Sequence, residues 1–335
     1  MDLKEIILQT VILTSASFIL GAIYNYEIRK ISARLQSRRG PWLLVPKPLR
    51  NSLGTTRILQ PIYDIIKLLC KETIIPPTAR KKLFIAAPFL ALACLVASST
   101  IVPIGGYSAF SSFDLSLVAL LYLLLGVPFT FILGGSVSSS PWGVFGSQRE
   151  SDLMLAYETP IVIGAFTTAI MAGSMSIQKI QVAQTQSLPY LILNPFAAAA
   201  VLLGIIGKLH LKPFDIPEAE VEVVAGPATE YSGKLLGLME VNKMLLTSTC
   251  IGLFISLFMA GGAAPGVSLN SPSAVLTYVA EGLVIVAVAS LIHTLNPRFR
   301  IDQALGWYVK TATFLAAIGL CWAYILQYIY PTISG

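Results

Sequence analysis

Uncharged apolar stretches long enough to cross a bilayer recur along the whole chain, and they constrain it more than any other feature. Roughly 20 apolar residues in helical form cover the hydrocarbon core. Such runs lie near residues 4–27, 83–104, 114–137, 158–177, 189–210, 234–260, 273–295 and 307–331. The expected fold is therefore all-α: a polytopic membrane protein with about eight transmembrane helices, residues 1–335 forming a single integral membrane domain. Only 12% of the residues are charged, where soluble domains run near a quarter. The first apolar run lacks a small-residue cleavage site, so it reads as a transmembrane helix and not as a signal peptide.

The basic residues set an orientation. Nineteen of the 23 Lys and Arg residues fall in alternate connections, thirteen of them between Arg29 and Lys82. The excess of Lys and Arg on cytoplasmic loops then places these connections inside and both termini outside. Two cytoplasmic loops stand out, a long basic one over 27–82 and an acidic one over 208–233. Between Arg57 and Lys71 apolar residues (Ile58, Leu59, Ile62, Ile65, Ile66, Leu69) alternate at helical spacing with Arg57, Gln60, Asp64, Lys67 and Lys71. This is an amphipathic helix along the membrane surface, either a simple anchor or a platform for another subunit.

Several function classes lack their residues. Cys70, Cys94, Cys250 and Cys321 are scattered and form no CxxC or Cys/His cluster, so no ligand set for zinc, haem or an iron–sulfur cluster is expected here. There is no HExxH, no Ser-His-Asp set and no phosphate loop. The basic residues show no groove with stacking aromatics, which argues against nucleic acid. His210 and His293 read as interfacial residues at helix ends.

A carboxylate inside a membrane costs on the order of 2.5–3.5 kcal/mol on insertion scales. Acids at membrane depth should therefore face a bundle interior, a partner or water. The densest group follows Lys208. Asp215 and Glu218 have capping-box spacing, and Pro217 suits a first turn. The helix this predicts places Glu218 and Glu222 on one face with Glu220 displaced, and Gly226-Pro227 ends it. With Glu230, this group is either a solvated acidic helix or an ion relay. Glu158 falls at the start of the fourth span. Glu240 and Lys243, three apart, share a helical face and are either an ion pair or part of the same relay. Glu281 is alone in the seventh span. It pairs with Lys243, faces another subunit, or carries a proton.

Three separated blocks resemble the heel subunit (the 1/H type) of the complex I superfamily. The first runs through Glu27-Ile-Arg-Lys, Gln36-Ser-Arg-Arg-Gly-Pro41 and Leu59-Gln-Pro-Ile-Tyr-Asp through Lys71-Glu72. The second and most specific is Pro213-Phe-Asp-Ile-Pro-Glu-Ala-Glu220 with Ala225-Gly and Thr229-Glu-Tyr-Ser-Gly233. Weaker matches are Arg149-Glu150 with Tyr157-Glu158, and Arg298-Phe-Arg-Ile-Asp-Gln303. The resemblance implies a membrane subunit that joins a peripheral redox arm to the membrane arm of an ion-translocating respiratory complex. Acids at Glu158, Glu218, Glu220, Glu222 and Glu230 would then line a hydrophilic channel, with Asp215, Glu240, Lys243 and Glu281 as further relay candidates. Arg29, Arg34, Arg38, Arg39, Lys67, Lys71, Arg298, Arg300 and Asp302 would dock the peripheral arm.

Two departures refine the branch. Quinone-reducing members commonly carry Arg before Pro-Phe-Asp, where this chain has Leu211-Lys212, and the text from Lys234 to Lys243 is less aromatic and acidic. Both are similar to the ferredoxin-dependent membrane-bound [NiFe] hydrogenases and their sulfur-reducing relatives. The implied partners are iron–sulfur and hydrogenase-like peripheral subunits and antiporter-like membrane subunits in a prokaryotic plasma membrane. Iron–sulfur clusters, and a nickel–iron centre in the hydrogenase branch, would sit in those partners and not in this chain. The same subunit in a quinone-reducing relative is the alternative reading, and a stand-alone carrier is the competing class, but the sequence shows no duplicated halves.

Overall fold

The computed structural model describes residues 3–38, 60–263 and 268–329, and these residues are helical with no strand among them. Among the described residues seven helices are long and apolar enough to cross a membrane. In chain order, α1 is Leu3–Leu35, α2 Gln60–Leu69, α3 Lys81–Ile101, α4 Ser116–Ser136 and α5 Pro141–Ala172. Then come α6 Ile177–Gln186, α7 Tyr190–Leu193, α8 Pro195–Lys208, α9 Glu220–Val223 and α10 Gly233–Phe258. The chain closes with α11 Pro272–Leu295, α12 Ile301–Trp307 and α13 Phe314–Ile329, the last two continuous through a π turn over Tyr308–Thr313. Of the long spans α10 is the most enclosed; α1, α2, α3 and α11 all pack on it.

Local chemistry sets several boundaries. Pro141 opens α5, where its missing N–H is no loss, and Gly173 closes it in the left-handed conformation (φ 63°). Ser271 caps α11 by accepting the Ala274 N–H, with Pro272 in the first position.

Two expected spans are corrected. The fourth does not run 158–177. It starts 17 residues earlier at Pro141, so Glu158 sits within a 32-residue helix and not at its start. The fifth, expected over 189–210, is broken. Asn194 accepts the Ala197 N–H and Pro195 starts a fresh helix, while the Asn194 side-chain amide donates to the Gly319 carbonyl. At about 1.5 Å per residue the 14-residue α8 is about 21 Å long, short of the roughly 30 Å hydrocarbon core. The eight apolar segments of the sequence are thus seven long helices and one short helix. The first span also outruns its expected end, and its last turns carry Glu27, Arg29, Lys30 and Arg34 as helix residues.

The acidic loop differs too. No helix starts from an Asp215–Glu218 capping box. Regular helix is confined to the four residues of α9, which begins after Glu218. Gly226 and Pro227 instead form a 3₁₀ turn pressed against α5. The amphipathic segment is helical where described, with Pro61 and Ile65 facing inward. Residues 57–59 of it lie outside the described residues, as does Arg39.

One end of the bundle gathers the basic connections. Arg29 of α1 reaches Asp64 of α2 at 3.5 Å. Ile74 and Ser232 exchange hydrogen bonds, Ser139 donates to the Thr78 carbonyl, and the Lys212 N–H donates to His293 Nδ1. The opposite end is built from Ser, Gly and Gln. There Gln184 accepts from the Ala260 N–H and Ser176 donates to the Ser111 carbonyl.

Candidate functional site

The site forms where α5, α8, the acidic loop and α10 meet at the basic end. Glu150 is fully buried on α5. Tyr157, two turns further on the same face, donates its hydroxyl to Glu150 Oε1 at 2.8 Å. Just past the end of α8, His210 places Nε2 2.8 Å from Glu150 Oε2, a close charge contact off the hydrogen-bonding direction. The other nitrogen of His210 lies 3.7 Å from Glu218 Oε1. Glu218 Oε2 in turn accepts from Lys243 of α10 at 2.7 Å. The result is a ladder, Tyr157–Glu150–His210–Glu218–Lys243, running from one long helix to another through the loop.

A second pair lies beside it. Lys208, the last residue of α8, donates to Glu158 of α5, and both side chains are nearly sealed from solvent at 2% and 9% exposure. The Lys208 ammonium also sits 5.8 Å from the centre of the Tyr157 ring, so Tyr157 touches both systems. Burial of two charges is tolerable here because each supplies the other's counter-charge.

Neighbours set the charge states of the two loop groups. Burial alone would lower the His210 pKa, but the carboxylates of Glu150 and Glu218 outweigh it and raise it from 6.5 to about 10. Burial would raise Glu218, but Lys243 and His210 hold its carboxyl well below the usual carboxylate range. Both groups are therefore charged at neutral pH.

A cavity of about 130 Å³ opens against the ladder. Glu150, Lys208, His210, Glu218, Lys243 and Asn25 give it polar walls, and residues such as Val127, Phe131 and Met239 give it apolar ones. It is polar enough and roomy enough for several waters.

The structure distributes the sequence candidates unevenly. Glu158, Glu218 and Lys243 belong to the site. Asp215 is tied to Arg298 at 2.7 Å, which turns this docking candidate inward and fastens the acidic loop to the chain after α11. Glu222 lies at the surface, half exposed, and takes Arg149 at 2.5 Å. Lys243 bonds Glu218 and not Glu240 or Glu281. Among the described residues Glu230, Glu240 and Glu281 form no ion pair. The backbone of Glu220 opens α9, but its side chain lies outside the described residues. Arg34, Arg38, Lys67, Lys71, Arg300 and Asp302 are exposed at the basic end.

The sequence reading missed the hub. His210 is no interfacial bystander, and neither Glu150 nor Lys208 stood among the relay candidates. One signal was available. Glu150 and Tyr157 are seven apart, which puts them on one face two turns apart.

The profile of the family described as NADH dehydrogenase matches residues 8–324. The chain belongs to this family. Members similar to it include an H-type subunit of NADH-quinone oxidoreductase from Rhodopseudomonas palustris, 31% identical over 93% of each chain. Another is the H-type subunit of the NADH-quinone oxidoreductase of Thermomicrobium roseum, 32% identical over 90% of each chain. In three dimensions the chain is similar to one from the membrane-bound sulfane sulfur reductase, described as an archaeal respiratory membrane complex. The TM-score is 0.83 at 25% identity, covering 95% of this chain and 99% of that one. The heel-subunit resemblance of the sequence and the family assignment therefore agree.

Proposed function

We propose that this chain is the membrane-anchoring and coupling subunit of a complex I-related respiratory complex. In this reading it links ferredoxin-driven electron transfer in a docked, hydrogenase-type or sulfur-reducing peripheral arm to translocation of H⁺ or Na⁺. Redox centres reside in the partners: iron–sulfur clusters in the peripheral subunits, with a nickel–iron centre in the hydrogenase form. Antiporter-like membrane subunits complete the ion path. The basic end is the cytoplasmic face, and the exposed cations there (Arg34, Arg38, Lys67, Lys71 and Arg300) receive the peripheral arm. Arg29, held by Asp64, braces α2 against α1 beneath it.

The ladder is the observation that carries this reading. It joins a loop at the docking face to two membrane-spanning helices through alternating acid and base groups. His210 is its pivot. A charge change above the loop, or a shift of the loop by an ångström or two, alters the His210–Glu218 contact first, because at 3.7 Å it is the loosest link. In a low effective dielectric one altered neighbour moves a proton affinity by whole pKa units. Glu218 then redistributes between His210 and Lys243, and the Glu150–Tyr157 end responds through His210. The cavity supplies water for proton exchange. Support for the redox partnership comes from the family and from the respiratory complex whose subunit shares the fold.

Ion uptake by inverted membrane vesicles, driven by reduced ferredoxin, tests the coupling. Glu218→Gln should abolish ion movement while the complex still assembles. An intact gradient in that variant would remove the ladder from the path.

A further inference from the structure

Glu281 stands apart from every group above. It is the tenth of the 24 residues of α11, so its Cα lies roughly 14 Å along the helix, near mid-membrane. No cation pairs with it among the described residues, and its Oε2 is buried without a hydrogen-bond partner. Facing it from α1 is Tyr24, whose side chain is fully buried and whose hydroxyl also lacks a hydrogen-bond partner among the described residues.

The seam is shaped for this meeting. The Tyr24 hydroxyl lies against Gly282, where any Cβ would collide with it. Tyr278, one turn before Glu281, is buried on the same helix, and its hydroxyl fits against Gly252 of α10. Tyr24 and Tyr278 are the titratable groups that face Glu281. Among the described residues no ion pair joins Glu281 to the elements packed on α11, and Lys243 of α10 is held by Glu218.

An ionised carboxylate at this depth would lack a counter-charge, and two unsatisfied polar groups would be buried side by side. A protonated carboxyl removes both problems. It carries no charge, it donates one hydrogen bond, and its carbonyl oxygen accepts another. We infer that Glu281 is a proton-binding site, held as the neutral acid and hydrogen-bonded to the Tyr24 hydroxyl directly or through one water. It stays separate from the ladder. α1 is the wall between them, since adjacent Asn25 faces the central cavity while Tyr24 faces Glu281. Glu281 itself is only partly buried. This inference stands on the α1–α11 seam alone and does not require the relay reading.

Infrared pH-difference spectra of the assembled complex in membranes test it, comparing wild type with Glu281→Gln, Glu281→Asp and Tyr24→Phe. A protonated-carboxyl band should be lost in Glu281→Gln, and Tyr24→Phe should move its frequency. Glu281→Asp keeps an acid one methylene shorter and should retain a shifted band even if the Gln variant assembles poorly. A spectrum unchanged in Glu281→Gln, or in Glu281→Asp where the Gln variant is not recovered, would show that Glu281 takes up and releases no proton and would overturn the inference. A band lost in Glu281→Gln but identical in Tyr24→Phe would overturn the pairing. The readout is the band and not ion movement, so its outcome is independent of the test for Glu218.

Discussion

The ladder at the basic end and the α1–α11 seam both place carboxyl groups among apolar helices, yet they handle them in opposite ways. At the ladder every acid meets a base: Glu150 and Glu218 meet His210, Glu218 also meets Lys243, and Glu158 meets Lys208. At the seam Glu281 meets only a phenol. Residue type is the same in both places. What differs is the counter-charge, and the counter-charge decides whether the acid is best kept ionised or neutral. A ladder of charged pairs transmits changes in geometry as changes in proton affinity. A lone neutral acid stores a proton.

Breaking the tightest pair should give the largest effect. Lys208→Met leaves Glu158 buried without its counter-charge and should destabilise the subunit by about 3–5 kcal/mol. Thermal unfolding of the purified complex reads this loss. Adding Glu158→Leu should restore most of the stability, because an apolar pair of similar volume needs no solvation. At the seam the matching change, Glu281→Gln, removes no ion pair and should cost far less.

Glu218 and Glu222 separate the ladder from the surface. Glu218→Gln should abolish coupled ion uptake. Glu222, half exposed and held by Arg149, should tolerate Gln with uptake close to wild type. Equal losses in the two variants would mean that the loop acts through its total acidity and not through the contact with His210.

pH supplies the next test. The His210 pKa is raised in the folded protein, so its contribution to stability is complete below 6.5 and is lost as pH rises through about 10. The Glu218 pKa is lowered, so its contribution holds above 4.5 and is lost as pH falls below that. The unfolding midpoint should therefore drop as pH is raised from 6.5 towards 10. His210→Gln should flatten that dependence.

The smallest effect belongs to the far end. Lys179 and Asp114 form an ion pair at 3.0 Å, but their side chains are 62% and 82% exposed. Lys179→Ala should change stability by no more than about 0.5 kcal/mol. A larger loss would mean that this end is covered by a partner in the complex.

Some of these groups could be read in advance and others could not. Glu158, Glu218 and Lys243 were visible because charge is rare in an apolar sequence. Glu150, Lys208 and His210 were not, since a helix-end histidine looks the same whether it faces lipid headgroups or a buried glutamate. The Asp215–Glu218 spacing suggested a helix start, yet Asp215 is taken by Arg298, 83 residues away. A tertiary ion pair displaced the local cap. Likewise, Glu240 lies closer in sequence to Lys243 than Glu218 does, and the loop still delivers Glu218 to it. Even the broken fifth span had a local cause in Asn194-Pro195, though hydropathy averaged over a window hides one such step.

By itself the sequence determined that this protein crosses a membrane many times, where most of the spans lie, and which family it joins. These follow from runs of neighbouring residues, because transfer from water to hydrocarbon acts on each segment almost independently. Only the tertiary structure decided which acids are paired, which are not, and that His210 links two helices. Electrostatic partnership depends on distances of a few ångströms between residues 8 to 83 positions apart, and the packing of helices and of the acidic loop sets those distances.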